Sequence, residues 1–221
     1  MSDMTIVCGI DEAGRGPVIG PMVLCAVCID AKNHAKFKEI GAKDSKELTR
    51  TERTELVASI QQLATAYKLI AVEPVEIDAA VQSKTTNLNW LEADKQAELL
   101  NALKPDVVYI DCPSPNIKAF TDYIQKKLIK KIEIHCAHHA DRDYPAVSAA
   151  SILAKVERDR LIDELKKKIG LDFGSGYPSD PYTKAFLEKN WKKYSTIFRK
   201  SWAPFKKYAQ RLTQKKLEGF N

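Results

Sequence analysis

Four acidic residues carry the chemistry that this sequence offers most plainly. Asp11 follows the strand-like run Thr5–Ile10, Asp111 follows the β-branched run Asp106–Ile110, and Asp141 lies a few residues beyond Ile132–Ala137. A carboxylate at a strand end stands at a sheet edge, where several strands can converge on one site. One such Asp is an ordinary turn opener. Three of them, with Glu12 beside the first, amount to a constellation. Clustered carboxylates repel one another and lose hydration, and a cation between them relieves both costs. Oxygen donors without Cys or His suit Mg2+ or Mn2+ better than zinc. Two such ions about 3.5–4 Å apart activate water on one side of a phosphodiester and stabilise the leaving oxygen on the other. The expected chemistry is phosphodiester hydrolysis. His138 and His139, next to Asp141, read as ligands, proton carriers or polar loop residues. Glu12 is the weakest of the four on position alone, because neighbours on a strand point to opposite faces unless the chain has already turned.

A second constellation concerns binding. Gly14-Arg15-Gly16 offers backbone N–H groups, close approach to a ligand and a guanidinium, which suits a sugar–phosphate backbone. A tight turn between strands would use the same residues. Tyr177 in GSGYPSDP is either a turn aromatic or a platform on an exposed loop.

The elements that must position these groups are legible in outline. Strand-like runs Thr5–Ile10 and Pro21–Ile29 flank a Gly/Pro-rich segment, Ala13–Gly20. Thr49 and Glu52 form a capping box that opens a helix over Thr49–Ala64. Tyr67–Glu73 reads as a third strand ending at Pro74. A helix follows over Leu88–Leu103 and is stopped by Lys104-Pro105. Asp106–Ile110, a helix over Ile117–Ile129, the strand Ile132–Ala137 and a long helix from Ala146 to about Ile169 complete the body. The order predicts an α/β layer with a mixed sheet, a hairpin part first and strand–helix alternation after it.

The chain has 221 residues and a formal net charge of +6. Residues 184–221 carry about +9 and residues 1–183 about −3, so a polyanionic partner is expected at the C-terminal end. There Lys192, Lys193, Arg199, Lys200, Lys206, Lys207, Arg211, Lys215 and Lys216 interleave with Trp191, Tyr194, Phe198, Trp202, Phe205 and Tyr208. The aromatics read as anchors that dock the segment. The cations read as a solvated face or as contacts to duplex phosphates. Five cysteines, including Cys25-x-x-Cys28 within an apolar run, read as core thiols. Their odd number, with no secretory signal, fits a cytoplasmic protein. No run is long enough to span a bilayer.

The segment GIDEAGRGPVIGPM (Gly9–Met22) closely resembles the signature of the ribonuclease HII family, the type 2 ribonucleases H, and its archaeal-type members above all. AKDSKEL (Ala42–Leu48), YID (109–111), HHADRDYPAVSAASILAKVERDR (His138–Arg160) and GSGYPSDPYTKAFL (Gly174–Leu187) resemble further family motifs, and TNLNWLEADKQAELLN is family-like as well. These matches run in the expected order from about residue 5 to residue 190. The resemblance implies a ribonuclease H-like mixed five-stranded sheet flanked by helices. The expected organisation is a catalytic domain over 1–183 and a basic helical C-terminal region over 184–221 packed on it.

The resemblance also implies metal-binding and catalytic roles for Asp11, Glu12, Asp111 and Asp141. It assigns ribose and backbone reading to Gly14, Arg15 and Gly16, recognition of the ribonucleotide at an RNA–DNA junction to Tyr177, and phosphate contacts to Lys46, Ser148 and Ser151. The implied activity is a metal-dependent endonuclease, using Mg2+ or Mn2+ and two ions in turnover. It would hydrolyse the RNA strand of RNA–DNA hybrids and cut 5′ of ribonucleotides embedded in duplex DNA, leaving 3′-hydroxyl and 5′-phosphate ends. A monomer is expected. Two other readings are a non-catalytic hybrid-binding subunit and a resolvase-like nuclease of similar fold. The GRG and GYPSDP segments weigh against the resolvase, and four mutually repelling carboxylates weigh against the binding subunit. Many archaeal-type members carry lysine where this chain has His139, so a titratable group replaces a permanent cation two residues before Asp141.

Overall fold

A computed structural model describes residues 4–42 and 47–218, with side chains as far as Gln210. Five strands, β1 (Ile6–Ala13), β2 (Met22–Asp30), β3 (Ala66–Val72), β4 (Val107–Asp111) and β5 (Glu133–Ala137), form one mixed sheet in the order β3-β2-β1-β4-β5. The helices are α1 (Lys36–Glu39), α2 (Arg50–Leu63), α3 (Pro74–Gln82), α4 (Leu88–Leu103), α5 (Ile117–Lys127), α6 (Ala140–Asp143), α7 (Pro145–Ile169), α8 (Pro181–Asn190) and α9 (Ala203–Glu218).

The first hairpin is antiparallel, with Asp11 opposite Cys25 and Ala13 opposite Val23. β1, β4 and β5 are parallel. Residues of β2 are buried from Met22 to Ile29, which is why its sequence is apolar without alternation. Its thiols, Cys25 and Cys28, are free and buried, and Cys8 lies opposite Cys28. The expected capping box closes on α2: Thr49 Oγ1 accepts from Glu52 N–H, and Glu52 accepts from Thr49 N–H at 2.7 Å.

Contacts divide the chain into two units. The first comprises residues 1–13, 23–71 and 88–158 and contains the sheet. Within it, the start of α7 lies directly on β1. A methyl group on Gly9 would fall 2.1 Å from Ala146 C and 2.2 Å from Val147 N, so only glycine permits this approach. The second unit gathers residues 14–22, 72–87 and 159–221. Its core joins Val18, Ile19, Ile162, Phe173, Phe186, Leu187, Phe198 and Phe205, with Trp191, Tyr194, Trp202 and Tyr208 packed against it. The C-terminal aromatics are therefore anchors, as their spacing suggests. No helix is long and apolar enough to cross a membrane among the described residues.

Candidate active site

Strand register brings the first two acids together. β1 and β4 pair with a constant offset from Val7 with Val107 to Ile10 with Ile110, so Asp11 and Asp111 are next in the same row and share a face. Asp11 does not follow its strand but lies within it, because β1 continues to Ala13 through pairing with β2. Asp111 is the last residue of β4.

Asp141 arrives by a different route. β5 ends at Ala137, His139 takes a left-handed conformation (φ 61°, ψ 32°), and α6 begins at Ala140. That conformation is among the few that His adopts more readily than most residues. It turns the chain so that Ala140 N–H donates to Asp111 Oδ1 at 3.1 Å, while Asp141 stands in the first turn of α6. His138 points Nδ1 at the carbonyl of Cys112 at 2.9 Å, so that nitrogen carries the proton.

Asp11, Asp111 and Asp141 offer carboxylate oxygens that all lie within 4.8 Å of one another. Asp11 and Asp141 are buried and Asp111 is partly exposed. Glu12 is the next residue on β1, opposite Leu24, half-buried and outside this set of three. Its N–H donates to Asp11 Oδ1 at 2.7 Å. Burial pushes the Asp11 carboxyl up to about 7. The Ser151 hydroxyl opposes that rise, Asp111 adds to it by like-charge repulsion, and the Glu12 N–H and Lys155 oppose it. Such a group of hard oxygen donors, one held reluctant to ionise chiefly by its burial, fits a divalent cation.

α7 supplies the supports. Ser148 and Ser151 are both buried on it. Ser151 donates to Asp11 and accepts from Lys155 Nζ at 3.1 Å. Lys155 thus acts on Asp11 through Ser151 as well as through space. It escapes sequence reading, and its signal is the i,i+4 spacing of Ser151 and Lys155 on one helix face.

The second unit holds the other predicted residues. Gly14 has φ 82°, which demands glycine. Gly176 O accepts from Val18 N–H at 2.8 Å and Ile19 N–H at 3.3 Å, so the tyrosine loop is bonded to the glycine turn. Asp180 fastens the loop further by accepting from Ser175 N–H, Ser175 Oγ and Tyr182 N–H. Tyr177 remains 41% exposed. Arg199 is not on the solvated basic face where charge patterning puts it. It is fully buried, and its guanidinium donates to backbone carbonyls of the glycine turn. Lys46 lies outside the described residues.

The family description Ribonuclease HII matches residues 8–205. The chain belongs to the ribonuclease HII family. It is 46% identical to ribonuclease HII of Pyrococcus furiosus over 213 residues, covering 94% of this chain and 93% of that one. The crystal structure of ribonuclease H2 from Pyrococcus horikoshii superposes with a TM-score of 0.85 at 43% identity, covering 94% of this chain and 98% of that one. Ribonuclease HII of Archaeoglobus fulgidus, solved in complex with PCNA, superposes with a TM-score of 0.77 at 37% identity, covering 86% and 89%. Membership in the ribonuclease HII family makes the chain an endonuclease that hydrolyses RNA in RNA–DNA hybrids and depends on a divalent metal.

One further position of this family member can be tested directly. Gly16 has no left-handed φ, and a methyl group on it would meet only Tyr177 Cε1, at 3.7 Å. Gly16→Ala is therefore expected to fold with an unchanged melting temperature. The methyl would occupy the space between turn and ring, and kcat/KM on ribonucleotide-containing duplex should fall on the order of 10²-fold, the cost of about 1 Å of misplacement. Steady-state kinetics beside a thermal melt check this.

Proposed function

We propose that this chain removes ribonucleotides from DNA as well as degrading the RNA strand of hybrids. It cuts on the 5′ side of a ribonucleotide embedded in duplex DNA and leaves 3′-hydroxyl and 5′-phosphate ends. The observation that carries the reading is the convergence of Asp11, Asp111 and Asp141 within 4.8 Å. We assign Mg2+ or Mn2+ to this site, two ions during turnover, with Glu12 as the fourth carboxylate. When bound, the ions neutralise the carboxylates, activate water and stabilise the leaving oxygen.

The chain's own residues do the rest. Ser151, backed by Lys155, orients the Asp11 carboxylate. Ala140 N–H orients Asp111. Gly14, Arg15 and Gly16 approach the ribose and its backbone, with Tyr177 as the aromatic platform and the 2′-hydroxyl as the feature read. Lys46, Ser148 and Ser151 are assigned to the phosphates. Residues 1–183 are read as the catalytic domain. Residues 184–221 supply cations to the duplex, apart from Arg199. We place the protein in the cytoplasm as a monomer, and we extend to it the PCNA assembly of its Archaeoglobus relative.

The test is a DNA duplex with one embedded ribonucleotide, offered with Mg2+ or Mn2+, and a map of the cut. Cleavage on the 5′ side, absent with chelator and absent on all-DNA duplex, is expected. Binding without cleavage would favour a hybrid-binding subunit. Equal cutting of the all-DNA duplex would favour the resolvase-like nuclease.

A further inference from the structure

The turn from Gly14 to Gly20 has an unusual backing. One buried guanidinium, Arg199, donates from Nη2 to Gly14 O at 2.6 Å, from Nη1 to Arg15 O at 2.8 Å and from Nε to Gly20 O at 3.1 Å. The Arg199 N–H donates to Val18 O at 2.9 Å. Arg199 Cζ lies over the Trp202 ring, 5.1 Å from the ring centroid, and Trp202 Nε1 donates to Gly16 O at 3.1 Å. Asp78 of α3 holds this segment in place. It accepts from Lys200 N–H and Ser201 N–H, each at 2.8 Å, and from Ser201 Oγ at 2.5 Å.

Planar trans peptides translate this into ligand chemistry. In each peptide the C=O and the following N–H point in opposite directions. With the carbonyls of Gly14 and Arg15 drawn to Arg199, the N–H groups of Arg15 and Gly16 are aimed away from that guanidinium, and Gly16 itself is exposed. The charge behind the carbonyls also polarises those peptides and strengthens the N–H groups as donors. Lysine, a point charge, lacks the planar fork that serves three carbonyls at once.

We infer that Arg199, with Trp202, is a positioning group for ribose recognition: it sets the direction and strength of the Arg15 and Gly16 N–H donors without touching substrate. The inference rests on the proposed reading of Gly14–Gly16 as the ribose-contacting turn.

Two variants test it on the full chain, Trp202→Phe and Arg199→Met. Trp202→Phe keeps an aromatic ring over the guanidinium and removes only the bond to Gly16 O. Arg199→Met keeps the length and removes three donors. KM for a duplex with one embedded ribonucleotide should rise about threefold in Trp202→Phe and at least tenfold in Arg199→Met, from the ordinary cost of lost neutral and charge-assisted bonds. kcat should stay within about twofold. If Arg199→Met does not fold, Trp202→Phe alone decides. Parental KM in the variant that folds overturns the inference, and so does a loss of kcat with KM unchanged. If the parent protein itself cuts all-DNA duplex as well as the ribonucleotide-containing one, the ribose reading fails and the inference falls with it.

Discussion

Asp11→Asn is expected to abolish turnover and, in metal-free protein above about pH 7, to raise the melting temperature. The first effect follows from the site. Asp11 is one of the three clustered aspartates, and in the proposed reading losing one metal-holding charge should cost several kcal/mol of transition-state stabilisation, on the order of 10³-fold in kcat. The second effect separates a functional carboxylate from a structural one. Asp11 is buried beside Asp111 and its carboxyl is pushed from 3.8 up to about 7. A folded-state value above the unfolded one means that the folded protein binds the proton more tightly. Between about pH 4 and pH 7 the unfolded chain has released that proton while the folded chain keeps it, so stability falls as pH rises through this window. Above about 7 the full cost is present. Asn cannot ionise and escapes it. A gain on the order of 5 °C at pH 8 corresponds to 1–2 kcal/mol in a protein of this size. Protons and cations compete for the same carboxylate, so metal affinity should weaken by up to about tenfold per pH unit below 7. Scanning calorimetry with and without chelator, and a metal titration at pH 6 and 8, measure all of this. A melting temperature that drops in Asp11→Asn at pH 8 would show that the carboxylate supports the fold rather than straining it.

Gly9→Ala should damage stability more than any other single methyl group considered. The added carbon would sit 2.1 Å from a backbone carbon of Ala146. Backbone cannot rotate away as a side chain can, so β1 and the start of α7 must separate. Overpacking of a well-filled core costs about 1–3 kcal/mol, and a clash with main chain belongs at or above the top of that range. Roughly 10 °C of melting temperature is at stake. Activity should suffer as well. Ser151 stands on α7 and bonds Asp11 on β1, so a shift between the two elements removes a support of the carboxylate. A thermal melt and a cleavage assay on the same preparation test both halves. A melting temperature within 2 °C of the parent would refute the packing argument.

Much of this architecture is legible in the sequence. Thr49 and Glu52 announce α2 because a capping box is local chemistry. Leu88–Leu103 is bounded by the same residues in sequence and structure, since Lys104-Pro105 ends it. Asp111 is legible because a strand end is where a sheet can gather charge, while Asp11 proves to lie inside its strand and Asp141 on the helix after one. What stayed hidden depends on partners distant in sequence. β1 runs on to Ala13 only because Val23 pairs with it across the hairpin. Pro74 reads as the end of a strand, yet it also opens α3, where its missing N–H has no cost. α6 has four residues and depends on one left-handed His139, too little pattern for periodicity to detect. Arg199 sits among lysines in a basic stretch, and nothing local distinguishes a buried fork from a solvated cation.

Pro17 gives the glycine turn an arithmetic limit. The Gly16 carbonyl is taken by Trp202, and the nitrogen of that same peptide belongs to Pro17 and bears no hydrogen. Three consecutive peptides are thus turned with their oxygens inward, but only two hydrogens face the other way. A backbone phosphodiester presents two non-bridging oxygens, each with several lone pairs, and two donors leave most of that capacity to other partners. A single hydroxyl oxygen, with two lone pairs, is saturated by them and keeps its own hydrogen to give elsewhere. The proposed ribose contact, a single alcohol, matches that count.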